Sequence, residues 1–256
     1  MKLLNLATVG LLSVSILAGG TAAFAEEARN VDTNGQVTFT PNTDEPTEVL
    51  PPEITEPPVV IPPTVPSTGP LTIAYAPAMN FGSQVISNQN QTYNMIAEMQ
   101  ELEDGSGSIP YVSFAQVQDT RGTNAGWDLQ VSLTDFTSTS QNNVLTGAQI
   151  SLNDPTIRYS GSNALNAPTA HATGLQLIPG AGAVSVMNAA NTKGAGGSSV
   201  VWGTQADLDA QFADAAIEVV ENNAVQLFIP GSTAKDEATY TSTLSWELTS
   251  TPGEEA

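Results

Sequence analysis

The sequence predicts an all-β fold, an antiparallel β-sandwich or barrel-like domain preceded by a signal peptide and a Pro-rich extended stalk. Short apolar or alternating runs recur from Leu71 to Leu248, divided by turn pairs such as Asp104-Gly105, Ser160-Gly161, Pro179-Gly180 and Pro230-Gly231. Helical periodicity is scarce. Two stretches, Gly126-Trp-Asp-Leu-Gln-Val-Ser-Leu133 and Thr239-Tyr-Thr-Ser-Thr-Leu-Ser-Trp-Glu-Leu-Thr249, alternate with period two. In an extended chain this puts Trp127 with Leu129, and Trp246 with Leu248, on one face.

The first element is a leader. Lys2 supplies a positive start, Leu3 to Ala18 is mostly apolar, and Ala23-Phe24-Ala25 offers a small-x-small cleavage site, so residues 1–25 read as a secretory signal peptide. No basic flank follows the apolar run, which disfavours a membrane anchor, and no membrane span is expected in the mature chain. Residues 26–70 form a polar, Pro/Glu-rich extended linker. Within it Gly35 to Thr40 alternates well enough for one short strand, and Pro41 to Pro70 holds ten of the seventeen prolines. Proline removes backbone donors and fixes φ, so this stretch is expected to join no sheet and to act as a semi-rigid spacer.

Residues 71–256 are long enough for one domain with a sizeable core. The expected strands are Leu71–Ala76, Gln91–Glu98, Tyr111–Gln118, Trp127–Leu133, Gln149–Leu152, Thr156–Tyr159, Gly174–Ile178, Ala183–Met187, Ser199–Trp202, Ile217–Val220, Val225–Ile229 and Tyr240–Leu248. Many short strands at regular spacing favour a sandwich or barrel. Ala190 to Gly203 is rich in Gly and Ser and, with Thr204 to Ala216, reads as a long loop holding at most a helical turn. Tyr240 to Leu248 is expected to be the last strand and to lie near that of Trp127.

Charge and composition exclude several functions. Six Lys plus Arg stand against 26 Asp plus Glu, a formal charge of -20, which loss of Lys2 with the leader takes to -21. Such a chain repels nucleic acid, polyanions and anionic lipid. There is no cysteine; the fold must rest on an ordinary core, and thiol nucleophiles and Cys-based metal sites are absent.

Catalysis finds little support. His171 is the only histidine and has no Gly-x-Ser-x-Gly elbow, so it reads as a solvated strand or loop residue. Acidic pairs such as Glu101 with Glu103 read as solvated loops rather than glycosidase carboxylates. Asp207 and Asp209 follow no EF-hand or nonapeptide pattern. No catalytic residue, metal or cofactor is expected. Arg121, in Asp119-Thr-Arg-Gly-Thr-Asn-Ala-Gly126, reads as a partner for Asp119 or for loop carbonyls. Arg158 sits at a strand end, and Lys193 and Lys235 read as loop charges. Trp202 is core if it lies on a strand with Val200, and a sugar-stacking platform if it lies on a loop. The same two options hold for Trp127 and Trp246, core or ligand contact.

Taken together, Tyr111 to Val131 and Ile229 to Leu248 resemble the WxL-domain surface proteins of Gram-positive bacteria. The resemblance spans about Leu71 to Pro252 and includes both Trp-x-Leu motifs in order and the Arg121-Gly-Thr123 lead-in. It implies a non-catalytic module attached non-covalently to peptidoglycan or another cell-wall polymer at the cell surface. It also implies complexes with other surface proteins of the same gene cluster. The motif positions it carries over are Trp127, Leu129, Trp246 and Leu248. The alternative is a structural or adhesive subunit whose main contact is a protein partner.

Overall fold

The computed structural model describes residues 33–41, 43, 46–64 and 68–250. The expected signal peptide lies outside these residues. Contacts divide the chain into Met1–Thr38 and Phe39–Ala256. The short strand expected at Gly35–Thr40 does not form.

In chain order the strands are β1 (Val59–Val60), β2 (Leu71–Tyr75), β3 (Gln91–Ile96), β4 (Glu98–Leu102) and β5 (Ser108–Tyr111). There follow β6 (Ser113–Asp119), β7 (Trp127–Leu133), β8 (Gln149–Leu152), β9 (Thr156–Tyr159) and β10 (Thr169–Ala170). After β11 (Leu175–Leu177), β12 (Val184–Ala189) and β13 (Gly196–Trp202) come helix α1 (Gln205–Ala213), then β14 (Glu221–Ile229) and β15 (Leu244–Thr249).

The all-β class holds, but the expected sandwich or barrel does not form. Among the described residues the strands are divided among four separate sheets, a four-bladed arrangement, in the orders β1-β4-β5, β10-β12-β7-β15, β11-β8-β14-β3 and β2-β6-β13-β9. The physical reason is visible in β6 and β13, which are buried along almost their whole length. A sheet in a two-layer sandwich keeps one face for solvent. Here one face of β6 and β13 gives Ala115, Val117, Val200 and Trp202 to a large core shared with the sheets of β7 and β8. The other face gives Phe114 and Val201 to a second core with Val59, Tyr111 and Leu208. Alternation in the sequence marks which side chains share a face; it does not say that both faces are covered.

The cover on the second face comes partly from the Pro-rich stretch. Val59–Val60 pairs antiparallel with Leu102 and Glu101, against the expectation that this stretch joins no sheet. Gln116 accepts from Leu50 N (2.8 Å) and donates to Leu50 O (2.6 Å), replacing the ladder that proline interrupts. Tyr111 does the same for Glu53, accepting from its N–H at 2.8 Å and donating to its carbonyl at 2.6 Å. Leu50 rests on Gly197, where a Cβ would stand 2.8 Å from Leu50 Cδ1. The glycines and serines read as loop are therefore the start of a central strand, and Gly197 is small where the strap lies close.

Helix α1 is fuller than the expected helical turn. Thr204 caps it by accepting from Asp207 N at 3.2 Å, and Gln205 bonds Val112 N and Pro110 O beneath it. Ile217–Val220 is not a strand, and Asn222-Asn223 lies inside β14 beside a register shift. Glu101 belongs to β4 rather than to a loop.

Candidate functional site

The two Trp-x-Leu motifs lie on neighbouring strands. β15 pairs with β7 so that Trp246 faces Val131, Leu248 faces Leu129 and Leu244 faces Leu133. Period two then puts Trp127, Leu129, Val131 and Leu133 on the inward face, where all are buried. Trp246 and Leu248 share that face on an edge strand and are half-buried against the same core.

Trp127 is enclosed completely, and its Nε1 donates to Gly194 O at 3.0 Å. Gly194 has φ +78, and a Cβ there would meet Trp127 Nε1 at 2.6 Å. Only glycine permits both the backbone conformation and the approach. The strand is entered through a loop held by Arg121. Its Nε and Nη2 donate to the two oxygens of Asp119 at 2.9 and 2.7 Å, and Nη2 also reaches Gly126 O at 2.8 Å. Asp119 raises the guanidinium pKa further. Arg121 thus fixes the turn immediately before Trp127.

Trp202 lies on a strand and is fully buried. Its Nε1 donates to His171 Nε2 at 2.9 Å, while His171 Nδ1 lies 2.7 Å from Ala172 O. This network assigns a neutral imidazole protonated at Nδ1. Burial lowers the His171 pKa, in keeping with that state. His171 is therefore a half-buried loop residue that also accepts from a core tryptophan. Nothing in its neighbouring sequence signals this, because the partner lies thirty-one positions away.

The residues between the motif positions face outward. Asp128 accepts from Gln130, Ser185 and Asn188, which close over it so that it is almost wholly buried. Two more of the sparse cations are engaged. Arg158 pairs with Glu53 at 2.7 Å, and Lys235 Nζ donates to the carbonyls of Ser87, Pro230 and Thr233, so Lys235 is a loop clamp rather than a loose charge. Asp207 is occupied in the helix cap, and Asp209 accepts from Gln205 at 2.8 Å. Among the described residues there is no group of three or more potential metal ligands, and no helix is long and apolar enough to cross a membrane.

No curated protein and no solved structure matches the chain. The family profile described as "WxL domain surface cell wall-binding" matches residues 26–252. It takes in the Pro-rich strap as well as both motifs. With two paired Trp-x-Leu strands and a match over most of its length, the chain belongs to the WxL family, as a secreted, non-catalytic surface protein of Gram-positive type that attaches to the cell wall.

Proposed function

We propose that the motif residues serve wall attachment from the inside. Trp127, Leu129, Trp246 and Leu248 hold the β7–β15 ladder on the core, Arg121 sets its entry, and Trp202 supports Trp246, while other surfaces of the domain meet the wall polymer. The observation that carries this reading is the complete enclosure of Trp127, with its indole N–H satisfied by Gly194. A ring with no exposed surface and no free donor has nothing to offer a sugar.

The attachment is not electrostatic. A chain of formal charge -20 is repelled by anionic wall polymers, and three of the four cations beyond residue 70 are engaged within the domain. Sedimentation of the mature protein with purified sacculi tests this directly. Binding is expected to hold or strengthen as salt is raised. Release by moderate salt would show that charge carries the attachment, and failure to sediment at any salt would remove wall attachment itself.

A further inference from the structure

The strands that carry the motifs stay paired beyond their regular spans. Thr134 N donates to Thr243 O at 3.0 Å, and Thr137 and Thr241 exchange both backbone bonds at 2.8 Å. The chain then parts into two loops, 138–146 after β7 and 231–240 before β15. Both are fastened. Asp236 accepts from Asn142 N and Nδ2, each at 2.7 Å, and Tyr240 Oη donates to Asn142 O at 2.7 Å while accepting from Asp236 N at 2.9 Å. Asn142 holds the Asp236 carboxyl below the usual carboxylate range. A third loop joins through Lys235 Nζ to Ser87 O at 3.1 Å and Gly231 N to Asn90 Oδ1 at 2.9 Å.

Between these walls lie two adjoining hollows, of about 410 and 280 Å³, sharing Ser232, Thr233 and Ala234. The larger is lined by amides and hydroxyls with small apolar breaks, among them Gln141, Asn143, Val144 and Thr146. Lys235, the one charged residue lining either hollow, has its ammonium held by three carbonyls, and the neighbouring Asp236 is spent on Asn142. Among the described residues the side chains of Gln141, Asn143, Thr146 and Ser232 make no hydrogen bond within the chain. In a strongly acidic protein this is a hydrogen-bonding groove whose one lining charge, Lys235, is held by backbone carbonyls.

We propose that this groove binds an uncharged run of glycan built from N-acetylated hexosamines, laid along both hollows. Side-chain amides suit ring hydroxyls and acetamido groups, and Val144 and Ala234 suit the acetamido methyl and the C–H face of a sugar. The absence of a free cation in the lining disfavours phosphate-bearing polymers. The proposal rests on the wall-attachment reading and adds where and to what the attachment is made. It also gives the motifs a purpose, since the Trp246 strand and the Trp127 strand end in the two walls of the groove.

The test titrates the mature full chain with the N-acetylglucosamine tetramer by calorimetry, beside sedimentation with sacculi. Gln141→Ala/Asn143→Ala is expected to weaken tetramer binding about tenfold or more, with an unchanged melt. Ala234→Glu, which puts a carboxylate on the shared floor, is expected to do the same. If the wild type ignores the tetramer, or both variants bind as it does, the groove proposal is overturned even where sacculi still sediment the protein. If the tetramer binds in a groove-dependent way and sacculi do not, the groove stands and wall attachment fails.

Discussion

Trp202 and Trp246 lie with ring centroids 6.5 Å apart and planes at 46°. They come from different sheets, Trp202 fully enclosed on β13 and Trp246 half-buried on the edge strand β15. The second motif is thus fastened to the domain by an aromatic contact as well as by its ladder to β7, and the two tryptophans of the motifs are unequal.

That inequality sets the first expectation. Trp127→Ala removes a fully buried ring and leaves Gly194 O without its donor, so it should cost about 3–5 kcal/mol. Trp246→Ala exposes less and should cost about 1–3 kcal/mol. Denaturant unfolding of both variants checks the order.

His171 gives the domain a pH dependence of defined sign. Burial lowers its pKa from the ordinary 6.5, so the unfolded chain binds the proton more readily than the folded one. Its contribution is present above about pH 6.5 and falls away as the pH drops through the folded value. Melting of the wild type and His171→Gln between pH 5 and 8, a window of about three units around that value, should show this loss in the wild type only. Equal slopes would contradict it.

Gln116 is the hinge pin of the Pro-rich strap. Gln116→Leu removes the partners of both Leu50 backbone groups and of Ser199, and should cost about 1–3 kcal/mol. Limited proteolysis should then cut within residues 46–58 while the remaining domain resists.

Arg121→Ala leaves Asp119, almost wholly buried, with no cation, and should cost about 3 kcal/mol, the lower end for a broken buried pair because Arg121 itself is partly exposed. Arg121→Lys keeps the charge but loses the bidentate geometry and the Gly126 contact, so thermal unfolding should rank it between alanine and wild type.

Much of the local structure was legible in the sequence. Trp127–Leu133, Gln149–Leu152 and Thr156–Tyr159 form strands with the expected bounds, because period two and flanking turn residues settle such runs locally. The expected neighbourhood of the two motif strands is a direct pairing. What escaped depends on tertiary context. Glu98–Leu102 carries too much charge to read as a strand, yet pairs between β1 and β5. Gly196–Ser198 reads as loop because small residues lack β propensity, and it is a strand because it pairs residue by residue with β6, Gly197 leaving room for Leu50. The division into four sheets follows from burial on both faces of β6 and β13, which no single run announces. Arg121 pairs with Asp119 as its spacing suggested, whereas the roles of His171, Lys235 and the unheralded Gly194 arise from partners brought together only by folding.

The most direct measurement combines thermal unfolding with sacculus sedimentation for Trp127→Phe and Trp246→Phe. If the motif tryptophans act from within, the wall-bound fraction will follow the folded fraction, and each variant will sediment like the wild type at temperatures below its own melt. A variant that melts with the wild type yet no longer sediments would contradict the account, and would make the indole itself a wall contact.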